Sequence, residues 1–191
     1  MEKPYYRTFL ALPVQVGAAL LELRRSLMRD LEGERISWVE PGRFHVTLRF
    51  LGDTLLSDVS KISVALKQGG FHFDAQEVPV TGVGSFGPRK KPRVIWIGFG
   101  RAEWFAGLKE GVDVLLEEQG IPKENQPFTA HLTLGRIRSL QNISRYYKIL
   151  EEAKDHSCEP VGFNSLVFYR SILGEGGPEY RKLEEISFRR P

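Results

Sequence analysis

The chain has 191 residues, 41% of them hydrophobic, which is enough for one full core and too few for several independent domains. Its formal net charge of +3 comes from 27 basic and 24 acidic residues, a balance that does not announce a long nucleic-acid track. The single cysteine, Cys158, excludes an intrachain disulfide framework and a cysteine-rich zinc module, and it favours a reducing compartment.

In chain order, Tyr6 to Leu12 reads as a first strand. The apolar stretch Phe9 to Leu23 is interrupted by Pro13 and Gln15, lacks a small-residue cleavage site and runs into Glu22, Arg24 and Arg25, so it does not read as a signal peptide. No stretch approaches a membrane span, and a soluble, cytoplasmic protein is expected. A helix follows Pro13, with Leu20, Leu23, Leu27 and Leu31 on one stripe, and stops near Gly33. Strands are expected at Ile36 to Val39 and Phe44 to Leu51, then a helix N-capped by Ser57 that turns Val59, Ile62 and Leu66 inward and ends at Gly69-Gly70. Phe71 to Val83 and Val94 to Phe99 read as strands, joined by the basic turn Gly87-Pro88-Arg89-Lys90-Lys91-Pro92-Arg93. That turn is either a solvated hairpin tip or a patch that steers phosphates through a salt-sensitive attraction. A third helix carries Trp104, Leu108, Val112 and Leu115 and ends at Gly120; a fourth spans Ile143 to Lys154 with Tyr147 and Leu150 inward. Between and after them lie strands at His131 to Gly135, Val161 to Ser171 and Tyr180 to Phe188.

Two of the four histidines share one setting, His45-Val46-Thr47-Leu48 and His131-Leu132-Thr133-Leu134. In a strand, residues two apart share a face, so each copy presents an imidazole and a hydroxyl on one side, anchored by aliphatic residues on the other. A neutral imidazole takes a proton near pH 7 and an imidazolium gives one, so two facing histidines form a base and an acid. Phosphodiester cleavage needs both, together with donors for the non-bridging oxygens, for which Thr47 and Thr133 are suited. No metal is required by this scheme, and no cofactor is implied. His72 and His156 lack such a context and read as surface or partly buried structural histidines. Strict alternation puts Arg49 on the face of His45 and Thr47, either supporting the site or pairing with a carboxylate. It puts Arg136 on the face opposite His131, so that Arg136 joins the site only if the strand ends or bulges at Gly135. Phe9 reads as core packing, with base stacking as its functional alternative.

The two motifs and their flanks resemble the two-histidine phosphoesterase superfamily, and within it the RNA 2′,3′-cyclic phosphodiesterases once called 2′-5′ RNA ligases. The resemblance runs nearly end to end: Arg7 to Pro13, Trp38-Val39, Phe44 to Gly52, Gly84-Ser85-Phe86 with Pro92 to Trp96, Phe128, Arg136, and Phe168 to Ser171 with Gly177 to Tyr180. Ala130 and Asp53 depart from the family's usual proline and glutamate, and neither position transfers a proton. The resemblance implies hydrolysis of an RNA 2′,3′-cyclic phosphate to a 2′-phosphate, with His131 as proton acceptor, His45 as proton donor, and Thr47, Thr133 and Arg136 holding the phosphate. Reversal with a 5′-hydroxyl in place of water implies 2′-5′ ligation.

The expected fold is α+β: residues 1–191 form one bilobal domain, two pseudo-symmetric lobes of mainly antiparallel sheet with outer helices flanking a central cleft. Nothing demands more than a monomer or an obligate protein partner. Three other readings stand beside the main one. The chain could act on small cyclic phosphates or 2′-5′ oligonucleotides, bind RNA ends without turnover, or use its histidines for zinc. Retention of both histidines and both threonines argues against the second, and the lack of a close third ligand argues against the last.

Overall fold

Alternating apolar residues drive ten segments of the described chain into antiparallel strands, whose inner faces are covered by amphipathic helices. The computed structural model describes residues 4–69, 73–156, 158–174 and 177–190. Among these, the first half runs β1 (Tyr5–Pro13), α1 (Ala18–Asp30), β2 (Arg35–Trp38), β3 (His45–Leu55), α2 (Leu56–Gln68), β4 (Gln76–Val78), β5 (Val80–Phe86) and β6 (Val94–Phe99). The second half runs α3 (Ala102–Glu118), β7 (His131–Ser139), α4 (Ile143–Glu152), β8 (Val161–Phe163), β9 (Ser165–Gly174) and β10 (Gly177–Ser187).

One eight-stranded sheet takes the order β10-β9-β1-β3-β7-β6-β5, with β2 also paired to β7, while β4 and β8 form a separate two-stranded ribbon. Most neighbours are zipped along their length, but β3 and β7 meet at one residue pair, Val46 with Leu132. That seam divides the sheet into a β10-β9-β1-β3 half and a β2-β7-β6-β5 half. Val46 and Leu132 are 0% and 1% exposed, so the seam is closed from below by the core. Helix α2 lies against β1, β3 and β10, α3 against β3, and α4 against β5. The α+β architecture with mainly antiparallel sheet is therefore as expected.

Helix α3 ends as its glycine requires. Gly120 adopts φ +82°, and Ile121 N–H and Gly120 N–H donate to the carbonyls of Leu116 and Glu117, closing the last turn. Other boundaries differ from the sequence reading for local reasons. Ser57 is not an N-cap, because β3 runs on to Leu55 and feeds directly into α2, with Leu55 at the cap position and no side-chain cap. In α4 the inward tyrosine is Tyr146, fully buried, while Tyr147 is half-buried. The strand read over Phe71 to Val83 divides into β4 and β5, with Phe71 and His72 outside the described residues, and Val161 to Ser171 divides at Asn164 into β8 and β9. Strand β7 continues past Gly135 to Ser139, because β2 and β6 pair with it there. His156 is exposed.

Candidate active site

The seam residues Val46 and Leu132 are the second residues of the two histidine motifs. Because the strands are antiparallel at that pair, His45 and Thr133 lie on one side of it and Thr47 and His131 on the other. Val46 and Leu132 point into the core, so all four polar side chains leave from the opposite face. A local twofold axis thus passes through the Val46–Leu132 pair, and the histidines are diagonal neighbours across it. Diagonal cross-strand positions are about 7–8 Å apart, a gap that a phosphate group with a hydrogen bond at each end can bridge.

Each ring is held the same way. Nδ1 of His45 lies 2.8 Å from the carbonyl oxygen of Arg43, and Nδ1 of His131 lies 2.8 Å from that of Thr129. A carbonyl only accepts, so Nδ1 donates in both, and the neutral ring leaves its Nε2 lone pair free. Burial pushes the pKa of both imidazoles below the usual 6.5, against the raising effect of these carbonyls. The Arg136 charge lowers both further, and the neighbouring His131 lowers His45. Thr47 and Thr133 are half-buried on the same face, and neither hydroxyl is engaged by another described residue.

Arg136 reaches this face through a β-bulge. Opposite β6, Ile95 pairs with Gly135 and Trp96 with Thr133, leaving Leu134 as the extra residue. The bulge reverses the alternation, so Arg136 is exposed on the side of His131 and Thr133, contrary to the strict alternation read from the sequence. The first motif bulges at the same place: Leu10 pairs with Arg49 and Ala11 with Thr47, and Leu48 is the extra residue. Arg49 is therefore carried off the site face, which corrects its placement there. It is buried at 7% exposure, 3.7 Å from Asp113 and 3.5 Å from Glu124, and donates to the Pro122 carbonyl. Lys109 also pairs with Asp113 in this layer. By the same bulge Phe50, 57% exposed, becomes the first-motif counterpart of Arg136.

Aromatic rings flank both histidines. Phe9 and Tyr180 have centroids 5.2 Å from the His45 ring, and Phe9 also packs on Phe50 and Tyr169. At 2% exposure Phe9 is a core residue beneath these rings. On the other side the Phe86 ring lies 4.8 Å from His131, edge to face, and is stacked on Trp96 at 5.0 Å. Phe9 apart, the sequence shows these aromatics only as flanks; their convergence is non-local. Phe50 alone had a sequence signal, since extending the two motifs by two residues aligns it with Arg136.

Two shallow cavities, about 440 Å³ beside Arg89 and Tyr147 and about 550 Å³ between α2 and α3, lie away from the histidines. Among the described residues no group of three or more His, Cys, Asp or Glu side chains could hold a metal ion, and no helix is long and apolar enough to cross a membrane.

Comparison with known proteins gives a consistent picture. Residues 10–96 match the LigT-like phosphoesterase family. An RNA 2′,3′-cyclic phosphodiesterase of Aeropyrum pernix is 31% identical over 168 residues, covering 87% of this chain and 93% of that protein. One of Thermotoga maritima is 29% identical, covering 95% of each. The fold resembles the crystal structure of TT0787 of Thermus thermophilus, at TM-score 0.72 and 24% identity over 96% of this chain and 98% of that one. It also resembles E. coli LigT complexed with 3′-AMP, at TM-score 0.67 and 18% identity over 96% and 98% of the two chains.

Proposed function

The chain belongs to the LigT-like phosphoesterase family, and from that premise we propose that it hydrolyses RNA 2′,3′-cyclic phosphate ends to 2′-phosphates without a metal ion. The observation that carries this reading is the pair of imidazoles across a local twofold, each with Nδ1 committed to a carbonyl and Nε2 free. Nε2 of His131 takes a proton from water, the water oxygen attacks phosphorus, the P–O3′ bond breaks, and protonated His45 gives its proton to O3′. The twofold lets either ring serve in either role, and this order follows the family resemblance. Thr47 and Thr133 donate to non-bridging oxygens, and Arg136 stabilises the charge of the 2′-phosphate product. With a 5′-hydroxyl in place of water the same steps join two strands through a 2′-5′ bond. We read residues 1–191 as one bilobal unit acting as a monomer in the cytoplasm, with RNA ends as its partner.

The test is an RNA oligonucleotide ending in 2′,3′-cyclic phosphate, incubated in excess chelator with the wild type and with His45→Ala and His131→Ala. The expected result is a 2′-phosphate from the wild type and a loss of at least about a hundredfold in each folded variant. An inactive wild type, a 3′-phosphate product or a variant that keeps most of its rate overturns the reading.

A further inference from the structure

The two sides of the site are not alike. In an in-line displacement the entering and leaving oxygens lie on opposite sides of phosphorus, so with His131 as base the entering oxygen comes from the His131 side. What lies beyond His131 is a platform. Phe86 is stacked on Trp96 with their planes 29° apart, and both are half-buried. The indole lies flat because Gly84 and Gly98 carry no Cβ; one added at Gly84 would come within 2.2 Å of it. The strand beneath is pinned, since Ser85 is hydrogen-bonded to the Tyr146 hydroxyl of α4 at 2.8 Å.

Immediately after Phe86 the chain enters the basic hairpin tip. Arg89, Lys90, Lys91 and Arg93 are all exposed there, and none forms an ion pair with a described residue. The tip is ordered by Lys91 N–H to Pro88, by Arg93 N–H to Phe86, and by the Tyr147 hydroxyl, which donates to the Arg89 carbonyl. On the His45 side Arg181 pairs with Glu179 and Lys182 with Glu185, while Arg43 donates to the Pro178 carbonyl at 3.1 Å and Arg170 lies over the Tyr6 ring, so these four cations are each engaged within the fold. A stacking surface followed by cations that no acid neutralises, Arg89 lying over the Tyr147 ring at 5.4 Å, is what a single strand of nucleic acid requires: a π-face for one base and cations for the phosphates that follow.

We propose that Phe86, Trp96 and the hairpin over residues 87–93 form a subsite for a second RNA strand, entering with its 5′-hydroxyl at His131. Its first base stacks on Phe86, and its following phosphates run along Arg89, Lys90 and Lys91. In the joining step His131 takes the proton of the 5′-hydroxyl, P–O5′ forms, P–O3′ breaks, and His45 protonates O3′. This subsite distinguishes joining from hydrolysis, because water needs neither a platform nor a charged track. The inference rests on the phosphodiesterase reading above.

The experiment compares two reactions of each protein: hydrolysis of a nucleoside 2′,3′-cyclic monophosphate, and joining of a cyclic-phosphate-ended oligonucleotide to a 5′-hydroxyl oligonucleotide, scored as 2′-5′ product. Phe86→Leu removes the stacking ring, Phe86→Tyr restores one, and the exposed triple variant Arg89→Glu, Lys90→Glu, Lys91→Glu reverses the track without touching the core. The expected result is a loss in joining about tenfold or more beyond any loss in hydrolysis for the leucine and triple variants, with recovery in the tyrosine variant. Added salt should depress joining more steeply than hydrolysis in the wild type, and less so in the triple variant. Equal losses in both reactions, or joining insensitive to the triple variant, overturns the subsite. So does a wild type that hydrolyses cyclic ends but forms no 2′-5′ product at any concentration of 5′-hydroxyl strand. A wild type that cannot hydrolyse the cyclic monophosphate or a cyclic-ended oligonucleotide overturns the phosphodiesterase reading itself.

Discussion

At the scale of single residues, the site depends on what each side chain is denied as much as on what it contacts. Both histidines give up Nδ1 to a carbonyl two residues earlier, so only Nε2 can move a proton in the reaction. Burial and the Arg136 cation make the imidazolium costly in both rings. One ring must nevertheless be protonated and the other neutral, so the optimum of kcat/KM should lie on the acid side of 6.5. Replacing Arg136 with Gln removes a positive charge near both rings, lets each hold its proton to higher pH, and should move both limbs of the kcat/KM profile upward. Burial is the larger cause and remains, so the shift should be partial. A pH-rate profile of Arg136→Gln that coincides with the wild type would show that the cation does not act on the rings.

At the scale of elements, the repeated bulge determines which residues share the site face. Leu48 and Leu134 are the extra residues, and each reverses alternation just after a His-x-Thr pair. In the second motif the bulge is followed by Gly135, where a Cβ would lie 2.8 Å from Ile36 and 3.2 Å from Trp38, both on β2. In the first motif Arg49 occupies the equivalent position and turns into a buried layer of Asp113, Glu124 and Lys109. Gly135→Val should therefore push β2 away from β7, lower stability by about 1–3 kcal/mol, and displace Arg136. Thermal melts and the rate on a cyclic phosphate check this together. A variant with wild-type melting and rate would mean that β2 yields freely. Alternation was legible in the sequence, and so was the glycine as a place where the strand could end or bulge; that it bulges, with Leu134 as the extra residue, was not. It arises from the pairing of β7 with β6, which no local pattern encodes.

For the whole molecule, the narrow seam places two distant motifs face to face. Among the described residues Val46 and Leu132 are the one pair joining β3 to β7, and both are buried in the continuous core. Leu132→Ala should cost about 2–5 kcal/mol of stability as a core truncation. It should also lower activity in the fraction that remains folded, because both histidines take their separation from this pair. Chemical denaturation paired with kinetics on the folded fraction measures the two effects. Loss of stability with an unchanged rate would show that the rings are held by their carbonyl partners alone.

The repeated His-x-Thr pattern, the side of each strand on which those residues lie, the amphipathic stripes of the helices and most element cores are all written in the order of the residues. These follow from local periodicity, which the chain carries whatever its neighbours do. Folding in three dimensions adds that the two motifs meet at their second residues, that paired bulges bring Arg136 to the site and take Arg49 away, and that Phe86 and Trp96 stand beside His131. Each of these depends on the register between strands far apart in the chain, where a shift of one residue reverses every face.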